Sequence, residues 1–242
     1  MPAVFVHGVP DTASMWDPLI ASLSRSDVLA VGLPGFATPT PAGWDATKES
    51  YAAWLEAEIE TLGAPVDLVG HDWGAILVQR VASTRPDLIR TVACGSGPLD
   101  TTYDWHPMAQ LWQTPDVGEQ VMAGLLGMPT DDLIAGFVGG GAPADLAAAE
   151  AAHVDERMTD CILALYRSAV TVGAEWQPTV DAMPARPALV FHGADDPYVP
   201  LAIAERLATR IAAELVTFPG CGHWWPREHV TESAIALERL WA

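Results

Sequence analysis

Short apolar runs recur along the chain, each closed by a turn rich in glycine or proline. Ala3-Val4-Phe5-Val6 stops at His7-Gly8-Val9-Pro10, and Val28-Leu29-Ala30-Val31 stops at Gly32-Leu33-Pro34-Gly35. Continuous apolar runs of this length predict strands buried on both faces, as in parallel sheets. Between the runs lie helical stretches, one from Trp16 to Leu23 and one from Lys48 to Leu62. In the second, Tyr51, Trp54, Leu55, Ile59 and Leu62 recur at helical spacing with acids on the opposite face. Val66-Asp67-Leu68-Val69 leads into a sharp Gly70-His71-Asp72-Trp73-Gly74, then a helical run to Ser83 and a further strand from Leu88 to Cys94. Strands alternating with helices predict a parallel sheet with helices on both faces. From Pro98 to about Pro184 the alternation stops, giving way to helix-like sequence, a Gly139-Gly140-Gly141 break and an alanine-rich run from Ala144 to Ala152. The strand pattern returns at Ala188-Leu189-Val190-Phe191, followed by a helix from about Leu201 to Ala213, a strand over Glu214–Phe218 and a last helix. The expected organisation is therefore a core of residues 1–97 and 184–242, interrupted by a helical lid over 98–183 at the C-terminal edge of the sheet.

Composition narrows the class. The chain has 242 residues, 50% of them hydrophobic and 18% charged. That is enough to bury a large core without disulfides or metals, and it excludes a disordered acidic tail. With 12 basic residues, only Lys48 a lysine, and 31 acidic ones, the net charge is −19. No basic patch is available, which argues against nucleic acid or an anionic membrane surface as partner. No apolar run approaches the ~18 residues of a membrane span, and no charged segment precedes the first strand. Cys94, Cys161 and Cys221 cannot form a closed set of disulfides. A soluble chain in a reducing, cytoplasmic setting is expected.

Candidate chemistry falls at the strand ends, where open α/β sheets bind ligands. Four motifs lie there: His7-Gly8-Val9-Pro10, Gly70 to Gly74, Gly193-Ala194-Asp195-Asp196 and Gly220-Cys221-Gly222-His223. The second has the form of a nucleophile elbow, with Asp72 at the centre between residues small enough for a strand to turn sharply into a helix. A carboxylate there is favoured in its charged form by the helix dipole and free amides, ready to attack. The alternative is that Asp72 only caps the helix. Asp72, Asp196 and His223 follow the chain order of nucleophile, acid and histidine. Cys221 and His223 lack the further ligands of a metal site, so no metal and no cofactor is expected.

Together, His7-Gly8-Val9-Pro10, His71-Asp72-Trp73-Gly74 and Gly222-His223 make the chain similar to the α/β-hydrolase superfamily, in its aspartate-nucleophile branch of epoxide hydrolases and haloalkane dehalogenases. The resemblance covers nearly the whole chain. It implies a mostly parallel sheet with a helical cap. Because the chain starts at the strand before His7-Gly8, the two leading strands usual in these families are expected to be missing, leaving about six. An uncovered sheet edge would then be free to pair in a homodimer or be covered by a helix.

The resemblance implies Asp72 as nucleophile, His223 as base, and Asp196, three residues after Gly193, as the acid that orients it, with Asp195 as fallback. The backbone amides of Val9 and Trp73 would form the oxyanion hole. An aspartate attacking alkyl carbon gives an ester whose carbonyl belongs to the enzyme, which water can cleave; a serine would give an inert ether. The substrate is therefore expected to be small, neutral and mainly apolar, opened at a C–O or C–halogen bond. Epoxide hydrolases use two lid tyrosines as proton donors, one of them followed by arginine. Tyr166-Arg167 matches that pair, and Tyr103 is the second candidate or a hinge residue. Haloalkane dehalogenases hold the halide by N–H donors: Trp73 serves either family, while Trp105 or Trp112 would supply a lid donor or simply fill the lid core. Asparagine, the second donor in one dehalogenase group, is replaced here by Val9. The arginine of fluoroacetate dehalogenases is replaced by Trp73. The leading expectation is an epoxide hydrolase, then a haloalkane dehalogenase, then a catalytically idle member that binds a small hydrophobic ligand.

Overall fold

The computed structural model describes all 242 residues. Its single sheet has the order β2-β1-β3-β4-β5-β6 and every neighbouring pair is parallel. The strands are β1 (Ala3–Val6), β2 (Val28–Val31), β3 (Val66–His71), β4 (Ile89–Gly95), β5 (Ala188–Gly193) and β6 (Glu214–Phe218). Six strands and an α/β-hydrolase architecture match the expectation, and the pairing is wholly parallel.

Alternation along each strand explains the continuous apolar runs. Phe5, Val69, Ala93, Leu189 and Phe191 pack on one face with Trp16, Leu19, Trp225 and Leu237. Their neighbours Val4, Leu68, Val92 and Val190 pack on the other with Leu55, Ile59, Leu77 and Val81. Side chains alternate between faces, so a strand covered on both sides needs apolar residues at every position. β2 departs from this. Leu29 is 40% exposed, because the sheet order puts β2 at an edge, where cover is incomplete.

Around the sheet lie α1 (Asp17–Ala21), α2 (Lys48–Thr61), α3 (Trp73–Thr84), α10 (Leu201–Arg210), α11 (Trp225–Glu228) and α12 (Val230–Trp241). The helix expected from Trp16 to Leu23 is instead a 3-10 turn, Ala13–Trp16, followed by α1. Pro18 has no N–H to donate and is tolerated only in a first turn, so the α-helix must start just before it. α10 stops at Arg210 rather than Ala213, because the chain turns into β6 through Ala212 at φ 53°.

Between β4 and β5 there are only helices: α4 (Pro107–Gln113), α5 (Val117–Leu126), α6 (Thr130–Gly139), α7 (Ala144–Ala151), α8 (Glu156–Ser168) and α9 (Val172–Asp181). α8 is capped by the Asp155 side chain and buries Met158, Ile162, Leu165 and Tyr166 at helical spacing. Each such apolar side chain stabilises the packing by roughly 2 kcal/mol. Lys48, buried on α2, donates to the Ser168 carbonyl at 2.6 Å and pairs with Glu175 at 2.9 Å, tying the insertion to the core. At its other root Asp100 pairs with Arg206 and Arg210 of α10. No helix is long and apolar enough to cross a membrane.

Candidate active site

The turn after β3 is held open for one residue. Asp72 adopts φ 52° and ψ −120°, an uncommon conformation for a residue with a side chain. The flanking glycines keep ordinary backbone angles and serve close approach instead. A Cβ on Gly74 would lie 2.0 Å from the Val6 carbonyl oxygen, and one on Gly70 would lie 2.4 Å from that of Gly74. Asp72 makes no side-chain cap to α3, so the simple capping role does not describe it. Its Oδ1 accepts from the Val9 backbone N–H at 2.8 Å. Its Oδ2 stands 3.6 Å from His223 Nε2. Trp73 is the first residue of α3, so its backbone N–H is one of the donors a helix start leaves over.

His223 lies between two carboxylates. Its Nδ1 pairs with Asp196 Oδ2 at 2.9 Å. Asp196 Oδ1 in turn accepts from the backbone N–H groups of Tyr198 and Val199 at 2.9 and 3.0 Å. Asp195 is exposed and makes neither contact. Burial alone would lower the His223 pKa; the charges of Asp196 and Asp72 outweigh it and raise the value to about 10. Burial likewise works against the charged form of Asp196, but His223 and the two amides hold it down at about 2.

Above this triad is a cavity of about 360 Å³ whose wall includes Asp72, His223, Tyr103, Trp105, Trp112 and Tyr166. Tyr166 packs edge-on against Trp73, Trp105 and Trp112, with ring centroids 5.4, 5.2 and 4.8 Å away. No protein acceptor takes its hydroxyl proton. Burial and the nearby Asp72 charge keep its phenol neutral. The other expected residues are already engaged. The Tyr103 hydroxyl donates to the Tyr198 carbonyl at 3.0 Å. The Trp105 indole N–H donates to the Ala169 carbonyl at 3.1 Å while its ring stacks on Trp73. The buried Trp73 indole N–H has no partner.

Among the cavity residues that were not singled out in the sequence are His106, Glu150, Tyr198 and Trp224. His106 sits before Pro107 and caps α4 through its ring. A histidine preceding a proline at a helix start carries that signal locally, but nothing local places it over Asp72. Tyr198 and Trp224 each lie within two residues of a triad member, the one signal that could have flagged them.

A model of the alpha/beta hydrolase family matches residues 3–234. The (E)-2-((N-methylformamido)methylene)succinate hydrolase of Acinetobacter baylyi is 34% identical over 104 residues, 42% of this chain and 40% of that protein. A haloalkane dehalogenase of Psychrobacter cryohalolentis is 29% identical over 118 residues, 46% of this chain and 39% of its own. The chain thus matches about two-fifths of the length of these curated relatives. An ancestral haloalkane dehalogenase of known crystal structure has a TM-score of 0.80 at 24% identity, over 99% of this chain and 92% of that one, a likeness of fold alone.

Proposed function

The chain belongs to the alpha/beta hydrolase family, and from that premise we propose that it hydrolyses an epoxide to a vicinal diol through an ester formed on Asp72. One observation carries the reading. The Val9 amide, which in an ester-cleaving site would await a substrate carbonyl, already binds an oxygen of the enzyme's own carboxylate, while the other oxygen faces the cavity histidine. The carbonyl to be attacked by water is then that of Asp72 itself.

In this scheme Asp72 Oδ2 displaces the epoxide oxygen from carbon, and the Tyr166 phenol protonates the departing alkoxide. Esterification removes one of the two negative charges beside His223. The imidazolium then releases a proton, which restores Tyr166, and becomes a base. Neutral His223 takes a proton from water and the hydroxide adds to the Asp72 ester carbon. The oxyanion forms at Oδ1, where the Val9 and Trp73 amides stabilise it. Collapse breaks the ester C–O bond to the substrate, and the carboxyl proton passes to the leaving alkoxide. The products are the diol, charged Asp72 and protonated His223, the starting state. Residues 98–183 serve as the lid that excludes bulk water from these steps.

Hydrolytic dehalogenation is the second reading, favoured by the unpartnered Trp73 indole N–H, a ready halide donor. It needs a second donor. Val9 offers no side-chain N–H, and the Trp105 N–H is committed to Ala169.

Diol formation from a panel of aryl and alkyl epoxides, with Asp72→Asn beside the wild type, tests the proposal. A single turnover in ¹⁸O-water should label the Asp72 peptide, not the diol. No diol from any epoxide, with halide released from bromoalkanes, would replace this reading with the second.

A further inference from the structure

Tyr198, two residues after Asp196, takes no step in the chemistry above, yet all three of its polar groups are engaged. Its backbone N–H donates to Asp196 Oδ1 at 2.9 Å. Its carbonyl accepts from the Tyr103 hydroxyl at 3.0 Å. Its own hydroxyl donates to the Gly140 carbonyl at 2.8 Å, a partner 58 residues away. Tyr103 and Gly140 both belong to the stretch between β4 and β5, Tyr103 before α4 and Gly140 at the C-terminal end of α6. The loop after β5 therefore meets that stretch at two separate points through one residue. Gly140 has φ −78°, which any residue adopts, so its bareness serves close approach: a Cβ there would stand 3.0 Å from the Tyr198 hydroxyl oxygen.

The ring of Tyr198 faces the base. It stands edge-on to the imidazole of His223, with centroids 5.1 Å apart and planes at 79°, inside the range where such pairs attract. The bond from Nδ1 to Asp196 fixes one corner of that imidazole. A ring held at one corner can still swing, and Tyr198 together with His71, whose ring centroid is 4.8 Å away, limits the swing.

We propose that Tyr198 is a positioning residue that makes the seating of the helical lid and the alignment of the base a single event. Its hydroxyl and carbonyl hold the lid at Gly140 and Tyr103, while its amide and ring hold Asp196 and His223. This rests on His223 acting as the base of the proposed hydrolysis. A lid lifted at Gly140 frees the tyrosine ring and with it the imidazole, so the Asp72 ester is cleaved only with the lid seated.

Tyr198→Phe removes the hydroxyl and leaves the ring and both backbone bonds. Losing one neutral hydrogen bond shifts an equilibrium about fivefold. Amide exchange at Gly140, Gly141 and Ala142, which bond within this corner, should quicken by about that factor in Y198F. In the same substrate-free protein the ¹⁵N ring signals of His223 should move, although the aromatic ring beside it is kept. In turnover, forming the ester needs no base and cleaving it does. Y198F should slow cleavage at least about fivefold, within the ~100-fold that a 1 Å misplacement costs, and leave ester formation within about twofold. The Asp72 ester then builds up, as read by rapid quench and mass spectrometry, and kcat falls while kcat/KM holds. Where Y198F does not fold, Tyr103→Phe breaks the other tie and is read in the same way. Unchanged exchange or unmoved His223 signals overturn the proposal, and so does equal slowing of the two steps, which a plain wall of the cavity would give. A protein that forms no diol would sink the proposed reaction; exchange and ring signals need no substrate and would still decide this inference.

Discussion

Replacing Asp72 by asparagine should turn His223 from a permanent imidazolium into a group that titrates near neutrality. The free protein holds His223 between Asp196 at 2.9 Å and Asp72 at 3.6 Å, with its pKa raised to about 10. At 3.6 Å and an effective dielectric of ~20, Coulomb's law gives about 4–5 kcal/mol for the Asp72–His223 pair, equivalent to about 3 pKa units. Water in the open cavity screens part of this, so a fall of about 2–3 units is expected in Asp72→Asn. Asp196 remains in place and keeps the ring oriented. Esterification of Asp72 in the proposed reaction would remove the same charge, so the variant would mimic the electrostatics of the proposed covalent intermediate. Long-range ¹H–¹⁵N spectra of the histidine rings, recorded across pH, read the change directly. Wild-type His223 should stay doubly protonated through pH ~8, and the variant should titrate about 2–3 units lower. A shift under about half a unit would refute the idea that ester formation switches on the base.

Stability should fall as pH rises from 7 to 8. His223 and Glu150 both have raised pKa values in the fold, so each retains a proton that the unfolded chain gives up above roughly 6.5 and 4.3 respectively. Their stabilisation is complete below those values and is lost as pH rises, at about 1.4 kcal/mol per pH unit for each proton. His7, lowered to about 4 by burial, works in the opposite direction, but only below its unfolded value, outside this window. Urea titrations should show E150Q with about half the wild-type slope; equal slopes would mean that Glu150 is ionised in the fold. Tyr166→Phe should lower epoxide turnover by about 10²-fold or more while leaving any halide release intact, and Trp73→Phe should do the reverse. Equal losses of both activities in both variants would remove the distinction between phenol and indole donors. Gly8→Ala should abolish ester formation, because its Cβ would stand 2.5 Å from Asp72 Oδ1; covalent labelling by an epoxide followed by mass spectrometry reads this, and labelling at the wild-type rate would show that Asp72 has room to move.

What could be read in advance follows from which interactions are local. Asp72, Asp196 and His223 each sit just after a strand, and a parallel sheet gathers such residues at one edge, so chain order points to the three candidates that the structure brings together. The choice of Asp196 over Asp195 came from the family spacing, and its physical basis is local too: Asp196 Oδ1 is tied to the amides two and three residues on. The aromatic wall was legible only as composition. Trp105 and Tyr103 lie between β4 and β5, and their polar atoms bond to Ala169 and Tyr198, partners 64 and 95 residues away. Glu150 shows the limit most clearly. It lies in an alanine-rich run where an acid reads as the solvated face of a helix, and Asp11, also buried, looks like a turn former after Pro10. Only the assembled fold buries both, leaving Glu150 1% and Asp11 2% exposed. A buried acid has no signature in composition or spacing, because its burial exists only once the helices between β4 and β5 pack on the core. Candidate residues placed at strand ends are therefore legible in the sequence, while the burial of acids far apart along the chain is not.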